Sequence, residues 1–149
     1  MRRTLAEGFE LDDDRARIDV NAVHSYIAGE SYWGRGRPRE LTEAAILGSS
    51  RVLGLYRGAE QVGFARAVSD GATVAYLADV YVLAEFRGRG LGVELVREIL
   101  DGAAEGSRRR VRWMLHTADA QELYRRLGFS DRPPVYPLME RGRDYDGRP

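Results

Sequence analysis

Neither cysteine nor lysine occurs among the 149 residues. The first absence removes disulfides, thiolate metal sites and a cysteine nucleophile. The second removes Schiff-base chemistry and the G-K-S/T phosphate loop, which depends on its lysine. All 23 basic residues are therefore arginine, permanently charged at any accessible pH. Histidine is scarce too: His24 and His116 lie too far apart for a local metal motif, so no metal is expected. No run approaches the roughly 18 apolar residues of a membrane span. The basic start Met1-Arg2-Arg3 has no apolar stretch behind it, as a secretion signal requires. An excess of either charge is also missing. The 23 basic residues meet 23 acidic ones, so no global field draws the chain to nucleic acid or to an anionic membrane. These absences leave a soluble, cytoplasmic protein with neither partner as the expectation.

What is present suffices for one core: 44% hydrophobic residues in a chain of this length predict a single domain over 1–149. A short first strand is expected over 8–11, ended by Asp12-Asp13-Asp14, a run too charged to bury. Asp19 is placed to cap a helix in which Val20, Val23, His24 and Ile27 recur at helical spacing, ending near Gly29. A second helix is expected over 39–47, closed by Gly48. Strands over 51–56, 61–68 and 73–83, joined by Arg57-Gly58-Ala59-Glu60 and Asp70-Gly71 turns, form an antiparallel meander. A helix over 91–104 and a strand over 110–117 then imply a parallel, right-handed crossover. Asp119 with Glu122 suggests a capping box for a short helix that Gly128 ends, and the prolines at 133, 134 and 137 confine any later strand to an edge.

The most informative stretch is Glu85-Phe86-Arg87-Gly88-Arg89-Gly90-Leu91-Gly92, where an apolar strand enters a loop and leaves as a helix. Glycines at alternate positions permit positive φ and close approach to the main chain. N–H groups pointing outward at a helix start, with the helix dipole, form a site for an anion such as a pyrophosphate. The dinucleotide fingerprint G-x-G-x-x-G fails, because Val93 stands where its third glycine belongs. What remains is Arg87-x-x-Gly90-x-Gly92, and the competing reading is a glycine-rich turn with solvated arginines.

This loop resembles motif A of the GNAT superfamily of acyl-CoA-dependent N-acetyltransferases, and Tyr124-x-x-Leu127-Gly128-Phe129 resembles that superfamily's motif B. The order of strands and helices resembles the GNAT fold over roughly residues 9–139. The resemblance implies an α/β fold with a central mixed sheet of six to seven strands, an antiparallel N-terminal meander, two splayed parallel strands and about four flanking helices. It implies direct transfer of an acetyl group from acetyl-CoA to the primary amine of a small molecule, and it allows a homodimer. The rival readings are acetylation of proteins or peptides and a non-catalytic acyl-CoA-binding regulatory module. It further implies that the backbone of Tyr81, Val82 and Leu83 holds the pantetheine arm. The N–H groups of Arg87, Gly88, Arg89, Gly90, Leu91 and Gly92 would hold the pyrophosphate.

The chemistry needs a neutral amine, a stabilised oxyanion and a protonated leaving thiolate. Tyr124 is the candidate acid, sharing a helix face with Ala120 and Leu127; the alternative is a core tyrosine bonded to a carbonyl. Asp79 is the only charged residue in the run 74–83, and strand alternation sets it beside Leu77 and Tyr81. Burial is expected to raise its pKa toward that of a base; the alternative is a structural aspartate bonded to an arginine such as Arg66, and the resemblance also allows a water chain in place of a single base. The resemblance implies that the oxyanion donor is the backbone N–H of Val80 or Val82. His116 and Thr117, at the end of the second splayed strand, would touch the pantetheine or the acceptor, or His116 would be a satisfied structural histidine. Tyr32, Trp33 and Arg35, in a loop that glycine and proline keep from becoming a helix, form the candidate acceptor wall, suited to a carboxylate or an aromatic ring. The alternative is that these aromatics cover a core edge.

Overall fold

The computed structural model of the protein describes residues 1–102, 111–130 and 139. Six strands form one sheet in chain order: β1 (Arg2–Thr4), β2 (Phe9–Asp12), β3 (Arg51–Arg57), β4 (Glu60–Ser69), β5 (Val74–Val82) and β6 (Arg112–Met114). Every neighbouring pair is antiparallel except β5 and β6, which are parallel and joined through a helix. The helices are α1 (Val20–Ser25), α2 (Arg39–Gly48), α3 (Leu91–Gly102) and α4 (Gln121–Arg125), with a π-helical turn over Tyr26–Glu30 after α1. Among the described residues this is an α/β fold with a mixed sheet of six strands and four helices, as the motifs and element order led one to expect. The tail positions expected to hold an edge strand fall mostly outside the described residues.

Helix periodicity decides which faces meet. In α3, Leu91, Leu95, Val96 and Ile99 recur three to four apart and are buried, packing with α4 against Leu55, Val62, Leu77 and Val82 on one side of the sheet. Each such side chain contributes about 1.5–3 kcal/mol by leaving water. Val23 of α1, with Tyr26 and Ile27 of the π turn, covers the other side, over Val52, Phe64 and Tyr81. Asp19 caps α1 as expected, accepting from the Ala22 N–H at 3.0 Å.

Some local expectations change. Strand β1 was not foreseen, because Arg2-Arg3-Thr4 has no apolar alternation; it is an edge strand paired with β2, with Arg2 bonded to Glu10 at 2.5 Å. Asp12 lies inside β2 and is buried, because Arg17 reaches its carboxylate at 2.9 Å. Asp119 does not cap α4. The Thr117 hydroxyl accepts from the Ala120 N–H at 3.0 Å, and Asp119 stays exposed.

Two irregularities in β5 shape the region where the anion loop begins. Strand β6 pairs only with Val74, Ala75 and Tyr76, fewer residues than the sequence suggested. Beyond Tyr76 the two strands separate, and that edge of β5 opens. On its other edge, Ala65 of β4 faces two residues of β5, Asp79 and Val80, between the pairs Arg66 with Ala78 and Phe64 with Tyr81. Such a bulge shifts the side-chain alternation by one. Asp79 adopts φ +51°, in the left-handed region, and turns away from Leu77. Leu77 packs on the α3 side, whereas Asp79 and Tyr81 lie on the α1 side. The expected grouping of Leu77 with Asp79 and Tyr81 is therefore corrected: strict alternation does not survive an inserted residue.

Candidate active site

A single turn of 3₁₀-helix over Ala84–Phe86 carries the chain from β5 into the glycine loop. Its geometry decides which N–H groups stay open. The Arg87 N–H donates to the Ala84 carbonyl at 3.2 Å, so it leaves the set of candidate anion donors. The N–H groups of Gly88, Arg89, Gly90, Leu91 and Gly92 have no acceptor among the described residues, while the Gly90 carbonyl starts α3 by accepting from Val93 and Glu94. Gly88 and Gly90 have φ of 77° and 76°, values that side chains rarely allow. Gly92 is already helical and serves otherwise: a Cβ there would stand 3.0 Å from Leu123 Cδ1, so its bareness lets α4 approach α3.

Neither loop arginine is loose. Arg87 donates from Nε to the Val82 carbonyl at 2.8 Å and from Nη2 to the Tyr26 hydroxyl at 2.9 Å, tying the loop to β5 and the π turn. Tyr26 in turn stacks on Tyr81 at 3.9 Å between ring centres. Arg89 is exposed and pairs with Glu7 at 2.5 Å.

Between the end of β5, the glycine loop and α4 lies a cavity of about 360 Å³ that runs from Gly88, Gly90 and Gly92 past Val80, Tyr81 and Val82 to Tyr124. Leu83 spends its N–H on the Val62 carbonyl at 2.9 Å, toward β4. Successive residues of a strand direct their polar groups to opposite edges. Tyr81 therefore shares the direction of Leu83, and Val82 and Val80 face the open edge. Of the three strand residues expected to hold a pantetheine, the main chain of Val82 has that outlook, and Val80 joins it.

A second cavity, of about 260 Å³, lies on the α1 side and also reaches Tyr124. Tyr32, Trp33, Tyr76 and His116 supply rings; Arg37, Arg66 and Asp79 supply charge. Tyr124 is buried against Phe129 at 5.7 Å between ring centres, and burial pushes its hydroxyl up to about 12. That hydroxyl has no hydrogen-bond partner among the described residues, so the expected alternative, a core tyrosine bonded to a carbonyl, is not what the structure holds. Tyr32 is half exposed and accepts the Ala118 N–H at 2.7 Å, which spans the cavity mouth.

Asp79 is 6% exposed and surrounded by donors. Arg37 reaches it twice, Nη1 to Oδ2 at 2.7 Å and Nη2 to Oδ1 at 3.0 Å; Arg66 Nε adds 2.7 Å and Trp33 Nε1 3.1 Å. Burial alone would raise its pKa, but the bonds and charge of the two arginines outweigh that and hold it below the ordinary carboxylate value. The rise expected from the sequence is corrected. An ionised carboxylate with both oxygens occupied has little proton affinity to offer. The expected Arg66 partner is present, joined by Arg37, which the sequence analysis passed over.

The GNAT acetyltransferase domain family matches this chain over residues 48–131. That stretch contains β5, the glycine loop, α3 and the helix of Tyr124. The chain belongs to the GNAT acetyltransferase family. A candidate acetyltransferase of Gibberella zeae is 33% identical over 143 aligned residues, covering 81% of this chain and 78% of its own. The crystal structure of a candidate GNAT-family acetyltransferase from Xanthomonas campestris pv. campestris matches with a TM-score of 0.80 at 37% identity, over 90% of this chain and 92% of that one. Glucosamine-6-phosphate N-acetyltransferase from Arabidopsis thaliana, at 14% identity and a TM-score of 0.62, covers 94% of this chain and 100% of that one and shares the fold.

In this GNAT protein the sequence-derived acceptor wall is only partly assembled. Tyr32 and Trp33 line the second cavity, 4.9 Å apart between ring centres in an edge-to-face pair. Arg35 is exposed and lines neither cavity, so its expected place at the acceptor is corrected. The arginines that do line the second cavity are Arg37, two residues on, and Arg66. Arg37 was legible only through its partner: a lone aspartate in an apolar strand predicts a buried arginine without saying which. His116 and Thr117 both line the second cavity, and His116 Nδ1 lies 2.6 Å from the Tyr76 hydroxyl.

Proposed function

We propose that this GNAT protein transfers the acetyl group of acetyl-CoA directly to the primary amine of a small molecule. One observation carries the reading: the Tyr124 hydroxyl is unbonded among the described residues and lies where the two cavities meet. The first cavity has the features of a donor site. Its five open N–H groups from Gly88 to Gly92 suit a pyrophosphate, and its open β5 edge suits a pantetheine amide. The second is then the acceptor site, walled by Tyr32 and Trp33.

The amine nitrogen attacks the thioester carbonyl carbon, forming a C–N bond and placing charge on the carbonyl oxygen. The Val80 N–H, at the bulge and facing the open edge, is the candidate donor to that oxygen. Collapse breaks the C–S bond, and Tyr124 gives its proton to the departing sulfur. A hydroxyl held near 12 stays protonated throughout the neutral range, which suits an acid and not a base. The amine's surplus proton leaves to water, and the Tyr124 phenolate takes a proton back from water, restoring the acid. Asp79, ionised and fully bonded, is assigned to positioning: it holds Trp33, Arg37, Arg66 and the bulge together.

Thiol release from acetyl-CoA, measured against a panel of primary amines, tests the reading. Amine-dependent release with one N-acetyl product per thiol is expected. Tight acetyl-CoA binding without release would reduce the protein to a binding module, and activity confined to peptides would move the acceptor to a polypeptide.

A further inference from the structure

The two arginines at Asp79 are spent differently. Arg37 uses both terminal nitrogens on the carboxylate, but Arg66 contributes only Nε. The terminal amino groups of Arg66 have no acceptor among the described residues, and no other carboxylate of those residues lies within 4 Å. Among the described residues Arg66 thus meets only a carboxylate that Arg37 also holds, and its terminal nitrogens stay open on a side chain 15% exposed. A guanidinium fixed through Nε with its terminal nitrogens unspent is placed to take an acceptor that arrives from outside. Arg66 lies in the wall of the second cavity, together with Tyr32, Trp33, Tyr76 and Tyr124.

We propose that the acceptor is a free amino carboxylate whose carboxylate is taken by the unspent edge of Arg66. The planar fork of a guanidinium matches the two oxygens of a carboxylate, and the aromatic walls suit an apolar or aromatic body between carboxylate and amine. About 260 Å³ accommodates a molecule of amino-acid size and no long peptide. Asp79 sets this specificity indirectly, because its bond to Nε fixes the plane of Arg66 and turns the terminal nitrogens outward. The proposal rests on reading the second cavity as the acceptor site of acetyl transfer.

Matched acceptors test it: phenylalanine, its amide and its aminophosphonate analogue, each compared by kcat/KM at saturating acetyl-CoA and by calorimetric titration in the presence of coenzyme A. Phenylalanine is expected to exceed its amide by about 10- to 100-fold, the range for a charge-assisted bidentate bond. In Arg66→Gln that ratio should fall to near one, and Arg66→Lys should keep part of it. Equal kcat/KM for acid and amide in the wild-type protein overturns the proposal, and this comparison stands even if Arg66→Gln fails to fold. A phosphonate preferred over the carboxylate also overturns it, in favour of a phosphate-bearing acceptor. If no amine is acetylated, acetyl transfer fails separately. Tighter binding of the acid than of the amide would then still support the Arg66 site, and equal or absent binding would remove it.

Discussion

At the scale of single residues, Tyr124 and Asp79 show how environment divides roles between groups that sequence treats alike. Both are isolated polar residues in apolar surroundings. Burial without a partner leaves the Tyr124 hydroxyl protonated and available; burial with two arginines leaves Asp79 ionised and committed. Tyr124→Phe is therefore expected to lower kcat by about 10²- to 10⁴-fold, the usual worth of a positioned acid. The dissociation constant for acetyl-CoA, measured by titration, should change little. A variant with unchanged turnover would remove Tyr124 from the mechanism. For Asp79→Asn, the expected loss is one of stability, about 3–5 kcal/mol by urea denaturation, because the buried Arg37 and the half-buried Arg66 lose the carboxylate they share. The residual activity should keep the wild-type pH profile, since no proton transfer is removed; a lost acid limb would restore Asp79 as a base. The tyrosine was legible from its motif. The pairing of Asp79 with Arg37 was not, because the two are 42 positions apart and only the turn after α1 brings them together.

At the scale of elements, the glycine loop and the two ends of β5 act as one unit. Gly90→Ala forces a side chain into the left-handed region, which costs about 1–2 kcal/mol. Relief of that strain would rotate the open N–H groups. Weaker acetyl-CoA binding by titration, with little change in acceptor KM, is the expected outcome. Gly92→Ala should act differently. Its new Cβ would press on Leu123 Cδ1 at 3.0 Å, beside Tyr124 on α4, so turnover should fall several-fold more than coenzyme affinity. The opposite pattern would show that α4 is not positioned through this contact. The loop was readable in the sequence because glycine spacing is local. The bulge was not, since an extra residue in one strand is defined only by the register of its neighbour.

Across the whole molecule, charge balance hides a strong local pairing of carboxylates with arginine. Burial alone would raise the pKa values of Asp12, Asp13 and Asp79, but bonds to Arg17, to the N-terminal amine with Arg51, and to Arg37 with Arg66 hold all three below the ordinary value. Carboxylates of the unfolded chain titrate near about 3.9, so their contribution to stability is present above that pH and is lost as the pH falls through the lower folded values. Calorimetry is expected to show a melting temperature that drops steeply below about pH 4, with a shallower acid limb in Asp79→Asn. An acid limb identical in the two proteins would show that the cluster does not contribute. The fold class, the meander, the crossover and both motifs followed from the sequence by itself, because hydrophobic period, turn chemistry and glycine spacing act over a few residues and survive without tertiary context. Tertiary structure decided which face Asp79 takes, which arginine meets it, which strand residues open toward the first cavity, and that Arg66 and not Arg35 lines the second. Those choices depend on strand register and on residues tens of positions apart, and a charge has its meaning only once its neighbours in space are known.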